Sequence, residues 1–166
     1  SIGSMQNLKE LHLWGTKITA SGFDNFQNLK NLTVITLAGT EVNNEGVKNL
    51  ANIPNLKTLN LSWTKINDLA LKYISQSKTV EVLSLNGNKI SASGLNFLTK
   101  MKSLKILSLE DIIFNSNYED TLASIPRLKV VYLNKVSANP KSVKSLVNKI
   151  PWAAVYYEGV LQFSEE

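Results

Sequence analysis

The chain has 166 residues, with 18 Lys and Arg against 13 Asp and Glu, a net charge of +5 and a single histidine. That is length for one domain. The lack of cysteine excludes disulfides and thiolate chemistry, and no apolar run reaches the roughly 20 residues of a membrane-spanning helix.

Residues 1–7 read as the closing half of a repeat, because Ile2 and Met5 align with Phe26 and Leu29. From Leu8 the chain repeats every 24 residues for six copies. One apolar column holds Leu8, Leu32, Leu56, Val80, Leu104 and Leu128. A second holds Leu11, Ile35, Leu59, Leu83, Leu107 and Val131. A third holds Leu13, Leu37, Leu61, Leu85, Leu109 and Leu133. A fixed period between about 20 and 50 residues is the mark of a solenoid. The apolar-x-apolar step between the second and third columns has a period of two, which predicts a short strand in each copy. Leu59 and Leu61 then point inward, and Thr58, Asn60 and Ser62 outward. One such strand cannot bury its own face. Copies stacked side by side share a core, and all strands run the same way in a parallel sheet.

The return half of each copy predicts a short helix. Thr19, Asn43, Asn67, Ser91, Asn115 and Asn139 share one column, and all six are residues favoured at a helix N-cap. Pro140 suits the first helical position. Apolar residues follow at helical spacing: Val47, Leu50 and Ile53; Leu71 and Ile74; Leu95, Leu98 and Met101. Gly22, Gly46 and Gly94 also share a column, which implies tight packing or backbone room.

Copies one to four are regular. In copy five the stretch Ile112-Ile113-Phe114 makes the turn apolar, and Tyr118 stands where other copies have glycine, so a distorted turn is expected. Copy six regains its helix through Val143, Leu146, Val147 and Ile150. In the tail, Val155 and Tyr157 fall on strand positions, after which the pattern dissolves. Trp152, Tyr157 and Phe163 are expected to cover the last core layer, making 152–166 a C-terminal cap.

The motif L-x-x-L-x-L-x-x-[NT]-x-I is carried by Leu8-Lys-Glu-Leu11-His-Leu13-Trp-Gly-Thr16-Lys-Ile18 and by Val80-Glu-Val-Leu83-Ser-Leu85-Asn-Gly-Asn88-Lys-Ile90. On these residues the chain resembles the leucine-rich repeat family, with 24-residue, Thr-type repeats similar to those common in bacterial proteins. The resemblance implies an α/β solenoid: a curved right-handed coil, with a parallel sheet on the concave side and short helices on the convex side. Residues 1–166 are expected to form a single domain. Because the repeat is cut within residues 1–7, the chain is expected to be the C-terminal part of a longer protein or to have more repeats upstream, with a lean toward an exported or cell-envelope location. The resemblance also implies that Thr16, Thr40, Thr64 and Asn88 point inward and bond backbone groups of neighbouring turns, a ladder that should fail at Ile112 and Val136.

Such repeats usually bind partners on the concave face. By position that face carries His12, Thr36, Asn60, Ser84, Ser108, Tyr132 and Tyr156 in one row, and Trp14, Ala38, Ser62, Asn86, Glu110, Asn134 and Glu158 in another. A third row runs Glu10, Val34, Thr58, Val82, Ile106, Val130 and Ala154. Its middle is small and uncharged. His12 and Trp14, with Trp63 on the turn edge, form an aromatic patch at one end; Tyr132, Tyr156, Glu110 and Glu158 form an aromatic-acidic patch at the other. Candidate partner-binding residues are therefore His12, Trp14, Thr36, Asn60, Ser84, Asn86, Glu110, Tyr132 and Tyr156, because exposed Trp and Tyr are common interface anchors.

No motif places a nucleophile and acid near His12. The acids Glu110, Asp111, Glu119 and Asp120 do not fit a calcium loop, and Gly39 to Lys48 lacks the Gly-Lys-Ser/Thr of a phosphate loop. The lysines are spread over the repeats as a solvated surface, without the clustered Arg and interleaved aromatics of a nucleic-acid reader. The expectation is a non-enzymatic module without cofactor or metal that binds a protein partner, binds no nucleic acid and does not insert into a membrane. Two alternatives are a spacer for an upstream catalytic or redox domain, and a carbohydrate or cell-wall binding module.

Overall fold

The computed structural model describes residues 2–113, 118–134 and 140–163. Strands β1 (Glu10–His12), β2 (Val34–Thr36), β3 (Thr58–Asn60), β4 (Val82–Ser84), β5 (Ile106–Ser108), β6 (Val130–Tyr132) and β7 (Ala154–Tyr157) lie side by side in chain order. All six pairings among them are parallel and step by one repeat, so equivalent residues of successive turns meet: Ile35 faces Leu59, and Leu59 faces Leu83. Backbone pairing runs past the short strands. Leu37 N–H donates to Asn60 C=O at 2.9 Å, and Trp63 N–H to Asn86 C=O at 2.7 Å.

β8 (Val160–Gln162) departs from the expected single direction. It pairs antiparallel with β7. The reversal uses Glu158 and Gly159 at φ 51° and 74°, the left-handed pair a tight hairpin needs. The tail therefore ends the sheet by backbone pairing. Val155 is fully buried and Tyr157 packs on the core, but Trp152 (63% exposed) and Phe163 (78% exposed) do not cover it, contrary to expectation.

Helices α1 (Asn44–Leu50), α2 (Asp68–Ile74), α3 (Ala92–Leu95), α4 (Glu119–Ala123) and α5 (Pro140–Lys149) form the other side. Asn43 Oδ1 accepts from Glu45 N–H and Gly46 N–H, Asn67 Oδ1 from Leu69 N–H, and Ser91 Oγ from Gly94 N–H. These are the expected caps. Thr19 does not act this way. It precedes a 3-10 turn (Ala20–Phe23) and makes no cap bond. Asn115 and Asn139 lie outside the described residues. α4 starts after Tyr118, again without a side-chain cap. The cap positions also tie turns together: Asn67 N–H donates to Asn44 Oδ1 at 3.1 Å, and Ser91 N–H to Asp68 Oδ1 at 2.8 Å.

The core is one continuous cluster. From the second turn on, the three strand columns are buried, from Leu32, Ile35 and Leu37 through Leu128, Val131 and Leu133. Helix-side residues Val47, Leu50, Leu71, Ile74, Leu95, Leu98, Leu122, Val143 and Leu146 close it. Leu8, Leu11 and Leu13 in the first turn are only half-buried, since a turn lies on one side of them alone among the described residues. Burying each such side chain contributes about 1.5–3 kcal/mol, shared between neighbouring turns rather than gathered at a centre.

The inward Thr column behaves differently from the ladder implied above. Thr16, Thr40 and Thr64 each donate to the carbonyl three residues back in their own turn, at 2.7, 2.7 and 2.8 Å. Thr64 Oγ1 also meets Asn88 Oδ1 of the next turn at 3.1 Å, but no threonine of this column among the described residues bonds a backbone group of another turn. Asn88 does so: its Nδ2 donates to Leu61 C=O (2.8 Å) and Leu85 C=O (2.9 Å), and its Oδ1 accepts from Thr64 N–H (3.2 Å). Ile112 fills the same column in turn five by apolar burial. Val136 lies outside the described residues. The column of Gly22, Gly46 and Gly94 reflects packing. A Cβ on Gly46 would press on Ala20 and Phe23 at 3.2–3.3 Å, and one on Gly94 would run into the Asp68 carboxylate.

Candidate functional site on the strand face

Parallel sheets are usually covered on both faces. Here the helices cover one, and among the described residues no helix lies over the other. Alternate residues of β2 to β6 are half-buried, flanked by their row neighbours, while the residue between them is buried. Strand pairing aligns the rows as the repeat predicts: Thr36, Asn60, Ser84 and Ser108 in one, and Val34, Thr58, Val82, Ile106 and Val130 beside it.

At the C-terminal end, Tyr132 and Tyr156 are register partners and stack, with ring centroids 5.0 Å apart and planes 18° from parallel. Each ring braces the other against rotation, leaving a flat aromatic step beside the apolar row. At the N-terminal end, His12 Nε2 sits 3.2 Å from Glu10 Oε2, both exposed, and Trp14 is 72% exposed.

Beyond Trp14, the row of Ser62, Asn86, Glu110 and Asn134 is largely taken up within the protein. Ser62, expected to point outward, is buried, and its Oγ has no hydrogen-bond partner among the described residues. Asn86 is also buried. Its Oδ1 accepts from Ser108 Oγ (2.7 Å) and Glu110 N–H (3.0 Å). Glu110 accepts from Asn86 Nδ2 (3.3 Å) and Asn134 Nδ2 (2.5 Å), and Asn134 Oδ1 accepts from Gly159 N–H (2.7 Å). Asn86, Glu110 and Asn134 thus tie four turns together. Glu110 offers a partner no loose carboxylate. The column signal was present in the sequence, but alternation along a strand does not tell whether a side chain faces solvent or its own row.

The acids of copy five do not converge. Glu110 joins this ladder, Glu119 is buried in α4, and Asp120 pairs with Lys149. Among the described residues no group of three or more His, Asp or Glu could hold a metal ion, and no helix is long and apolar enough to cross a membrane.

Two features were not expected from the sequence. Gly15, Gly39 and Gly87 share a column at φ 65–69°, and Trp63 and Asp111 occupy it at φ 52° and 53°. This left-handed position turns the chain out of each strand, and glycine holds it without strain. Trp63 there lies over Gly87, where any Cβ would meet its ring. Second, the lysines are not evenly spread in space. Lys57, Lys78, Lys100, Lys102, Lys105 and Arg127 line one groove at the rim where the chain enters the strands.

The fold is a parallel β/α solenoid, a class that commonly serves as a protein-interaction module. Leucine rich repeat family models match residues 52–75 and 76–98, and a second such model matches 7–29. The chain belongs to the leucine-rich repeat family. No curated protein sequence matches it. Among solved structures it is similar to internalin C2 from Listeria monocytogenes, with a TM-score of 0.72 and 24% identity over 93% of this chain and 63% of that one. It is also similar to an internalin, inlF, from the same organism, with a TM-score of 0.61 and 20% identity over 92% of this chain and 47% of that one. The chain thus spans less than two thirds of the length of either internalin, and the likeness is one of fold.

Proposed function

We propose that the chain is a non-enzymatic module that binds a protein partner on its strand face. The observation that carries this reading is the uncovered face of a parallel sheet, with an apolar row of Val82, Ile106 and Val130 running into the Tyr132–Tyr156 stack. Apolar side chains flanked by small neutral ones suit a flat protein surface, and stacked tyrosines present large rigid area with polar tips. Thr36, Asn60 and Ser84 supply short hydrogen-bonding groups between the two aromatic ends, with His12 and Trp14 at the far end. Asn86 and Glu110 hold the face in shape rather than contact the partner.

A photoreactive side chain placed at Ser84, and separately at Lys48 on the helix side, tests this in extract of the source cells. The expected result is a discrete adduct from position 84 alone, lost when Tyr132→Ala is added while the circular dichroism spectrum is unchanged. Equal labelling from both positions, or an adduct insensitive to Tyr132→Ala, contradicts it.

A further inference from the structure

The groove at the strand-entry rim has a volume of about 640 Å³ and walls of serine, threonine and glutamine between its charges. It is built from the ends of three successive turns. Lys57 and Lys105 stand just before β3 and β5, Lys78 and Lys102 on the loops before β4 and β5, Lys100 on the preceding 3-10 turn, and Arg127 before β6. These positions are far apart in sequence and neighbours in space, because adjacent strands lie about 4.8 Å apart.

Six cations face a single carboxylate there, Glu81, an excess of five. That equals the net charge of the whole chain, so outside the groove twelve cations balance twelve acids. Glu81 displays what the groove accepts. One of its oxygens takes Lys57 Nζ at 2.8 Å and the other Lys105 Nζ at 2.5 Å, so one carboxylate bridges two turns. Among the described residues, Lys78, Lys100, Lys102 and Arg127 pair with no acid. Four cations are left beside a carboxylate that has already engaged its two.

We propose that this groove binds an acidic stretch of polypeptide whose carboxylates continue the row Glu81 begins. Five of the six cations are lysines, point charges on flexible stems that adapt to a carboxylate spacing unlike their own; planar, bidentate phosphate recognition favours arginine. Among the described residues no aromatic ring lines the groove itself to stack a base; Trp152 lines the adjoining depression that shares Lys105 and Arg127. The cations follow one another across the ends of successive turns, five of them exposed and Lys105 half-buried, a row that a single extended strand can lie along. Like charges held together raise the local concentration of an anionic partner and speed its encounter. The surface is separate from the strand face, and the proposal holds whatever covers that face.

Fluorescence anisotropy with labelled polyglutamate tests it, at an ionic strength of about 0.1 M where the screening length is about 10 Å. Changing Lys78→Glu, Lys102→Glu and Arg127→Glu together is expected to weaken binding about tenfold or more, the sum of several partly exposed charge pairs. Changing Lys17→Glu, Lys48→Glu and Lys89→Glu alters net charge equally away from the groove and is expected to weaken it less than about twofold. Glu81→Gln releases Lys57 and Lys105 and is expected to tighten binding about two- to threefold. Tyr132→Ala is expected to leave it unchanged, which separates this groove from the strand face. The proposal is overturned if polyglutamate does not bind, if the two triple variants weaken it equally, if Glu81→Gln weakens it, or if oligothymidylate or phosphatidylglycerol vesicles bind more tightly than polyglutamate.

Discussion

Turns four and five occupy neighbouring places in the same sheet and solve the same packing problem with opposite chemistry. In turn four, Asn88 satisfies carbonyls of two turns, Ser91 caps α3, and Gly94 leaves room for the Asp68 carboxylate. In turn five the columns of Asn88 and Gly94 hold Ile112 and Tyr118, both buried, and Tyr118 gives the start of α4 no side-chain cap. The strand columns Leu83/Leu107 and Leu85/Leu109 are alike and fully buried in both. The sheet side is therefore the invariant part of each turn. The return side closes either by hydrogen bonds or by apolar volume, provided it closes.

The largest expected effect breaks the part the two turns share. Leu83→Ala and Leu107→Ala should each destabilise by about 2–5 kcal/mol, the usual range for a leucine removed from a packed core. Denaturant unfolding measures both, and similar losses are expected because the two sites sit in equivalent surroundings.

The next effect separates the turns. Asn88→Ala strands the carbonyl of Leu85 and the N–H of Thr64, and leaves Leu61 C=O with the Thr64 hydroxyl in place of two side-chain donors. A loss of about 1–3 kcal/mol follows from leaving buried polar groups unpaired. Ile112→Ala at the equivalent position costs cavity energy but orphans nothing, so only Asn88→Ala should also speed amide hydrogen exchange at Thr64. A smaller loss, about 1 kcal/mol, is expected for Ser91→Ala through the lost cap on α3, measured by thermal unfolding.

The smallest effect concerns charge at the rim. The hydrogen bonds from Lys105 and Lys57 hold the Glu81 carboxyl at about 2, below its ordinary 4.5. Because the folded value is depressed, this contribution to stability is present above pH 4.5 and fades as pH falls from 4.5 toward 2. A carboxyl NMR titration should find the Glu81 midpoint near 2, moving up toward 4.5 in Lys105→Ala.

Most of the sheet was legible in the sequence because a strand column records burial directly. The equivalent positions Ile35, Leu59 and Leu83 could face only inward, and a strict 24-residue step left one register possible. What was not legible depends on reach and on neighbours across turns. Threonine was expected to bond backbone groups of neighbouring turns, and its hydroxyl takes a carbonyl of its own turn instead, with Thr64 reaching only the Asn88 side chain beyond it. Ser62 alternates with apolar residues as an outward residue would, yet it is buried. Gly15, Gly39 and Gly87 recorded the left-handed exit from each strand, a column readable in retrospect. Of the candidate site, the Tyr132–Tyr156 pair followed from the register alone. The roles of Asn86 and Glu110 in the cross-turn ladder, and the gathering of six cations into one groove, arise only when successive turns are stacked. The antiparallel β8 follows no repeat and left only the Glu158-Gly159 turn as a sign.

The central claim is that stacked turns share one apolar filling and leave the strand face to other molecules. The chain has no native cysteine, so single thiols report without background. Thiol labelling of Thr36→Cys and Ser84→Cys under native conditions should approach the rate in denaturant, while Leu59→Cys and Leu83→Cys should react only on unfolding. Rapid native labelling at positions 59 and 83, or protection at 36 and 84 as deep as theirs, would contradict the account.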